Sequence, residues 1–151
     1  MVRFHTLTPK VIFVDSSAYF SLIRAKDHNH QQALLIARHL DLQQWRIFTT
    51  SFVVAETHAL IVNRLRRSDL GLVFLTTMNE SKGTTVIQPT MPDQQRALQI
   101  LGQHRDKQFS YADATSFAVM ERFGISQVFS FDREFAQYGW SILSAELLSP
   151  R

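Results

Sequence analysis

Apolar positions along the chain fall into two periodicities. Short runs rich in β-branched and aromatic residues read as strands: VIFV at 11–14, RIFTT at 46–50, TTVIQP at 84–89, QVFSF at 127–131 and WSIL at 140–143. Between them the spacing lengthens to that of helices, over 16–24, 28–42, 51–67, 69–79, 92–104 and 111–123, with a short one at 133–138. The punctuation agrees. Pro92 followed by Asp93 suits a first helical turn, Gly124 suits a C-terminal cap, and Pro89 closes the third strand. Strands alternating with helices predict an α/β domain on a mostly parallel sheet. One stretch stands out: SDLGLVFLTTMNES at 68–81 is unusually apolar for a helix outside a sheet. Core packing explains it, or a surface that pairs with another chain.

Composition narrows the class. At 151 residues the chain fits one domain, 1–151, with a core over about 10–145, since a chain of this length hides roughly 70% of its unfolded surface. With 45% hydrophobic and 19% charged residues, five glycines and four prolines, disorder and fibre are excluded. The absence of cysteine removes disulfides, thiol nucleophiles and zinc ribbons. MVRFHTLTPK carries no apolar leader, and no run reaches the length of a membrane span. A cytoplasmic address and no membrane partner are therefore expected. Neither a dinucleotide nor a P-loop phosphate cradle is present. The letters HNH at 28–30 are those of a nuclease family in which the three residues lie on separate elements; contiguous here, His28 and His30 read as the start of a surface helix. A formal charge of +3 is compatible with a polyanionic partner without requiring one.

The candidate chemistry lies in carboxylates. In a parallel α/β sheet the C-terminal ends of the strands and the N-termini of the following helices share the edge where ligands bind. Asp15 ends the first strand and Asp132 follows the fourth. Asp15 can equally be a helix N-cap, with Ser16 and Ser17 supporting the turn. Glu56 has Phe52 and Val53 one turn before it and Ala59 and Leu60 one turn after, which places it on the apolar face of its helix. Acids are rarely buried unless paired or metal-bound. Asp113 forms an S-x-x-D pattern with Ser110, a capping box that puts it in a first helical turn. Four carboxylates at one edge would raise one another's pKa. A hard divalent cation, Mg²⁺ or Mn²⁺, relieves this with oxygen ligands, whereas a soft-metal site lacks its cysteines. Such a site can activate water for phosphodiester cleavage, with one metal or two.

Three motifs, VIFVDSSAYFSLI, TTSFVVAETHALI and SYADATSFAVMERFGISQVFSFDREF, together resemble the PIN-domain nucleases, in particular the toxin-type ribonucleases of the VapC group. The resemblance implies a three-layer α/β/α domain with a central parallel sheet in the order 3-2-1-4-5. It implies a Mg²⁺- or Mn²⁺-dependent endoribonuclease, the toxin of a type II toxin–antitoxin pair, with Asp15, Glu56, Asp113 and Asp132 as the acidic cluster. Ser16 matches the hydroxyl residue after the first Asp, and Ser130 stands where many members have Thr in T-x-D. A further acid that some members carry one turn after the third Asp is replaced by Ser116 and Phe117.

On this reading Asp15 and Asp132 hold the metal directly, Asp113 binds directly or through water, and Glu56 orients the attacking water or binds a second ion. Arg24, Lys26, Arg64, Arg66, Arg67, Lys107 and Arg133 would hold the RNA backbone. A homodimer and an inhibitory antitoxin are the partners implied. The alternatives are an orphan RNA-processing nuclease, or a non-catalytic module whose acidic pocket receives a partner's arginine. A phosphatase of the haloacid dehalogenase type needs a second Asp where Ser17 stands, and a response-regulator receiver needs an acidic pair and a lysine that are not evident.

Overall fold

The computed structural model describes residues 10–148; the segment 1–9, in which most of the leader was sought, lies outside them. The order is β1 (Val11–Val14), α1 (Ser16–Ile23), α2 (His30–Leu42), β2 (Arg46–Thr50), α3 (Ser51–Leu65), α4 (Ser68–Glu80) and β3 (Thr84–Ile87). There follow α5 (Met91–Gln103), α6 (Tyr111–Phe123), β4 (Gln127–Phe129), α7 (Arg133–Tyr138), β5 (Ser141–Ile142) and a closing 3-10 turn, Ala145–Leu148. All strand pairs are parallel, in the order β3-β2-β1-β4-β5. No helix among the described residues is long and apolar enough to cross a membrane.

The middle strand shows why the sheet forms. Ile12, Phe13 and Val14 are all buried, at 2% exposure or less, because helices cover both faces and alternation is lost. On one face Phe13 packs with Phe117, Val128 and Phe135; on the other Ile12 and Val14 pack with Ala18, Ala33, Ile36 and Leu40. A third cluster, Phe20, Ile61, Phe74 and Met78, joins α1, α3 and α4. Every residue of α6 from 114 to 120 is buried, so its first turn is held firmly at the sheet's edge.

Several predicted boundaries move where side chains take over backbone hydrogen bonds. The fourth strand, expected to reach Phe131, stops at Phe129. Ser130 Oγ accepts the Asp132 amide at 3.0 Å, and Ser17 Oγ accepts that of Phe131 at 3.0 Å. The second helix begins at His30, not at 28, because the Asp27 carboxylate accepts the Asn29 amide at 2.8 Å in a turn ahead of it. The fifth begins at Met91 under a reciprocal Thr90–Asp93 capping box. The third strand ends at Ile87, two residues before Pro89, the third helix at Leu65 before the left-handed Arg66 (φ 56°), and the last strand shrinks to Ser141–Ile142.

Core packing accounts for part of the apolar 68–81 segment. Phe74 and Met78 enter the core, while Leu72 and Val73 stand 65% and 60% exposed. Gly71 lets α4 approach α3, since a Cβ there would lie 3.0 Å from the His58 ring.

Candidate active site

The β1–α1 and β4–α7 turns meet because β1 and β4 are neighbours in register, Val14 opposite Phe129. The Asp15 amide donates to the Phe129 carbonyl at 3.1 Å, which draws the two turns together. Asp15 is both an N-cap and a buried acid, at 3% exposure. Its Oδ2 accepts the Ser17 amide at 3.5 Å, and the hydroxyls of Ser17 and Ser130 each reach that oxygen at 3.1 Å. The two hydroxyls also lie 3.1 Å from each other.

The other two anchored acids follow one plan. Ser16 donates its hydroxyl to Glu56 Oε1. Asp113 Oδ2 accepts the Ser110 amide at 2.9 Å, while Ser110 Oγ accepts the Asp113 amide at 3.0 Å, completing the capping box. So Asp15, Glu56 and Asp113 each give one oxygen to the protein. Among the described residues none of these hydrogen bonds falls on the other oxygen.

The cluster is electrostatically frustrated. Burial first, then the charge of Asp132 and more weakly those of Asp113 and Glu56, push Asp15 up to about 7 against the Ser16 amide. Burial lifts Asp113 to about 6, with Glu56 and Glu134 adding and the Ser110 bonds opposing. Asp132 is raised, by burial first and then by the charges of Glu134 and Glu56, with its closeness to the Asp15 carboxyl opposing.

Asp93 shows the ordinary alternative. It too is only 3% exposed, but Arg122 forks onto its two oxygens at 2.8 and 2.7 Å, and the Thr90 amide reaches it at 2.9 Å. Burial alone would raise Asp93, yet these partners hold it below the usual carboxylate range. None of the ion pairs found among the described residues involves Asp15, Glu56, Asp113 or Asp132.

The structure thus brings all four acids to one edge, with Ser16 and Ser130 bonded to two of them. It corrects the argument made for Glu56. The buried line of α3 is Val53, Thr57 and Ile61, and Glu56 is exposed beside it. Its apolar neighbours do not enclose it: Phe52 packs on Tyr111 with ring centroids 5.8 Å apart, Ala59 is exposed, and Leu60 lines a cleft. His28 is corrected as well, since it is exposed in the loop ahead of α2 and only His30 enters the helix.

Among the cations, Arg64 lines the cleft beside Glu56, and Lys107 and Arg133 line a second hollow with Glu134. Arg67 is tied to Asp69, and Arg24, Lys26 and Arg66 are exposed away from both hollows. Ser17, expected only to support the turn after Asp15, also ties Asp15 to the β4 turn, and one participant escaped the sequence reading: Glu134, whose charge acts on Asp113 and Asp132. Glu134 had a signal, an acid two residues after Asp132 in a first helical turn. At the position of the missing further acid, Ser116 is buried and bonds the Ala112 carbonyl at 2.9 Å.

The 3-2-1-4-5 sheet agrees with comparison to known proteins. The PIN domain profile matches residues 12–141. The chain belongs to the PIN domain family. This PIN domain is 32% identical over 135 residues to the 23S rRNA-specific endonuclease VapC20 of Mycobacterium tuberculosis, covering 86% of this chain and 95% of that one. The crystal structure of VapC20, described as a sarcin-ricin loop cleaving toxin, superposes with a TM-score of 0.77 at 29% identity, over 88% of this chain and 98% of that one. FitAcB from Neisseria gonorrhoeae shares the PIN fold at a TM-score of 0.65 and 16% identity, over 89% and 98% of the two chains. PAE2754 from Pyrobaculum aerophilum shares it at 0.59 and 15%, over 93% and 92%.

Proposed function

We propose that this PIN-domain protein is a Mg²⁺- or Mn²⁺-dependent endoribonuclease that hydrolyses RNA phosphodiester bonds as the toxin of a type II toxin–antitoxin pair. The carrying observation is the contrast within one molecule between Asp93, buried with an arginine, and Asp15, buried among acids. A buried carboxylate without a partner is costly, and a cation from solution is the ordinary remedy. The naming of the relative VapC20 as an endonuclease specific for 23S rRNA supports RNA as the substrate class.

The residues fit a hard divalent ion. The donors are all oxygens, and three acids each have one oxygen held by the fold and another left over. As the side chains stand, no group of three or more His, Asp or Glu among the described residues is gathered closely enough to hold a metal ion, so the acids would have to draw in around one that keeps several of its waters, as Mg²⁺ does. Asp15, Asp113, Asp132 and Glu56 are the residues that would hold it. Bound there, such an ion supplies Lewis-acid activation of water and offsets charge building on the phosphate.

The chain's own work is positioning. Ser17 and Ser130 fix the Asp15 carboxylate, Ser110 fixes Asp113, and Ser16 fixes Glu56, whose exposed carboxylate is placed to orient water for in-line attack at phosphorus. Arg64, Lys107 and Arg133 are placed to hold flanking phosphates. A small antitoxin and a second copy of this chain are proposed as protein partners, the copy through exposed Leu72 and Val73.

Asp15→Asn is the direct test. Cleavage of RNA that depends on Mg²⁺ or Mn²⁺ and stops with EDTA should be abolished, while the circular dichroism spectrum stays that of wild type. Full activity in the variant would remove the mechanism. Failure of the wild type to bind millimolar Mg²⁺ would favour a non-catalytic acidic pocket that receives a partner's arginine.

A further inference from the structure

Beside Glu56 and Asp132 lies a cleft of about 420 Å³ whose far wall the acids do not use. One side is a stripe of α3. Glu56, Leu60 and Arg64 stand four residues apart in turn, so an acid, an apolar side chain and a cation follow one another at intervals of about 6 Å. Arg64 takes part in none of the ion pairs found among the described residues.

The facing side is the loop at 27–29, and it is braced. Asp27 Oδ1 accepts the Ser21 hydroxyl at 3.1 Å and the Asn29 amide at 2.8 Å, and His30 Nδ1 lies 2.8 Å from the Ser21 carbonyl. Asp27 lines the cleft, yet its carboxylate is committed to holding the rim. Asn29 occupies the N-cap of α2, where asparagine is among the strongest cap formers. Its backbone is helical there (φ −93°, ψ 0°), and its side chain makes no cap bond. The donor and acceptor of that amide remain for something else. Phe131, half-buried, closes the cleft on the Asp132 side.

We propose that this cleft seats the nucleotide adjoining the cleaved phosphodiester, with Arg64 on a phosphate, Phe131 and Leu60 against the base, and Asn29 on the base edge. The inference rests on the ribonuclease reading and adds to it a determinant of sequence preference. Single-stranded RNA is recognised by such means: splayed bases stack on aromatic rings and pair their edges with side-chain donors and acceptors. A side-chain amide can bond a base edge at two points, which an exposed lysine cannot do. A stacked base and one phosphate contact each carry about tenfold in affinity. Asn29 makes no cap bond, so its removal costs α2 none.

The test uses short random-sequence single-stranded RNA carrying a fluorophore. Binding is measured by anisotropy with Mg²⁺ in the non-cleaving Asp15→Asn background, with and without Asn29→Ala or Arg64→Ala. Arg64→Ala should weaken binding about tenfold and flatten its salt dependence; Asn29→Ala should weaken it severalfold. In the otherwise wild-type chain, sequencing of cleaved ends should show Asn29→Ala changing base preference at one position next to the cut, with KM rising more than kcat falls. Asn29→Asp, which exchanges the amide donor for an acceptor, should shift that preference and carries the test if the alanine variant misfolds. Unchanged affinity together with an unchanged base distribution overturns the proposal. If the wild-type chain cuts no RNA, the ribonuclease reading falls, and the binding measurements alone decide the cleft: equal affinities reject it.

Discussion

At the residue scale, Asp15 makes stability depend on pH in an unusual direction. Unfolded, it releases its proton near the ordinary value of 3.8; folded, it keeps the proton up to about 7. Between those limits the folded state binds more protons than the unfolded one, so stability falls as pH rises through the window, with the full penalty above it. Asp113, raised to about 6, acts in the same sense. Thermal unfolding in EDTA should therefore give a lower midpoint at pH 8 than at pH 5. Asp15→Asn should flatten that difference, and Mg²⁺ should raise the midpoint more at pH 8 than at pH 5. Equal pH dependence in wild type and Asp15→Asn would show that the carboxylate is not strained. Asp93, held low by Arg122, works oppositely and only under more acidic conditions.

At the element scale, the Asp93–Arg122 fork joins the start of α5 to the end of α6. Arg122→Ala should destabilise the fold by about 2–3 kcal/mol in urea titrations, because Asp93 is left buried without its cation; the arginine's partial exposure keeps the loss below that of a fully buried pair. Asp93→Asn in the same background should recover part of it. The elements themselves were legible because each buries a face whose period shows in the sequence, VIFV without alternation and the helices at helical spacing. Their ends were less so. Ser130, Asp27 and Thr90 each divert a backbone hydrogen bond to a side chain, and local pattern carries no record of such choices. In the site, strand ends and capping boxes marked Asp15, Asp113 and Asp132. Glu56 was found through a burial that does not exist, since its apolar neighbours belong to the cleft and to Tyr111. The Ser17–Ser130 contact spans 113 residues of chain, and only the pairing of β1 with β4 creates it.

At the scale of the whole molecule, the net charge of +3 conceals an edge where acids collect and cations stand back in two hollows. On α4, Leu72 and Val73 face solvent above a small apolar hollow lined by Ile23, Leu70, Val73, Phe74 and Thr77. If the proposed second copy docks here, Val73→Lys should lower the mass seen in sedimentation equilibrium to that of a monomer without lowering thermal stability; an unchanged mass would reject this face as the contact. The unequal anchoring of the site acids bears on how such a protein can decay. Glu56 is exposed and held by one hydroxyl, so a lineage released from selection can shed it and still fold. Asp15 and Asp113 are different, because each also takes part in capping a helix. Retired descendants should therefore lose Glu56 first and keep the two capping acids as relics of lost activity.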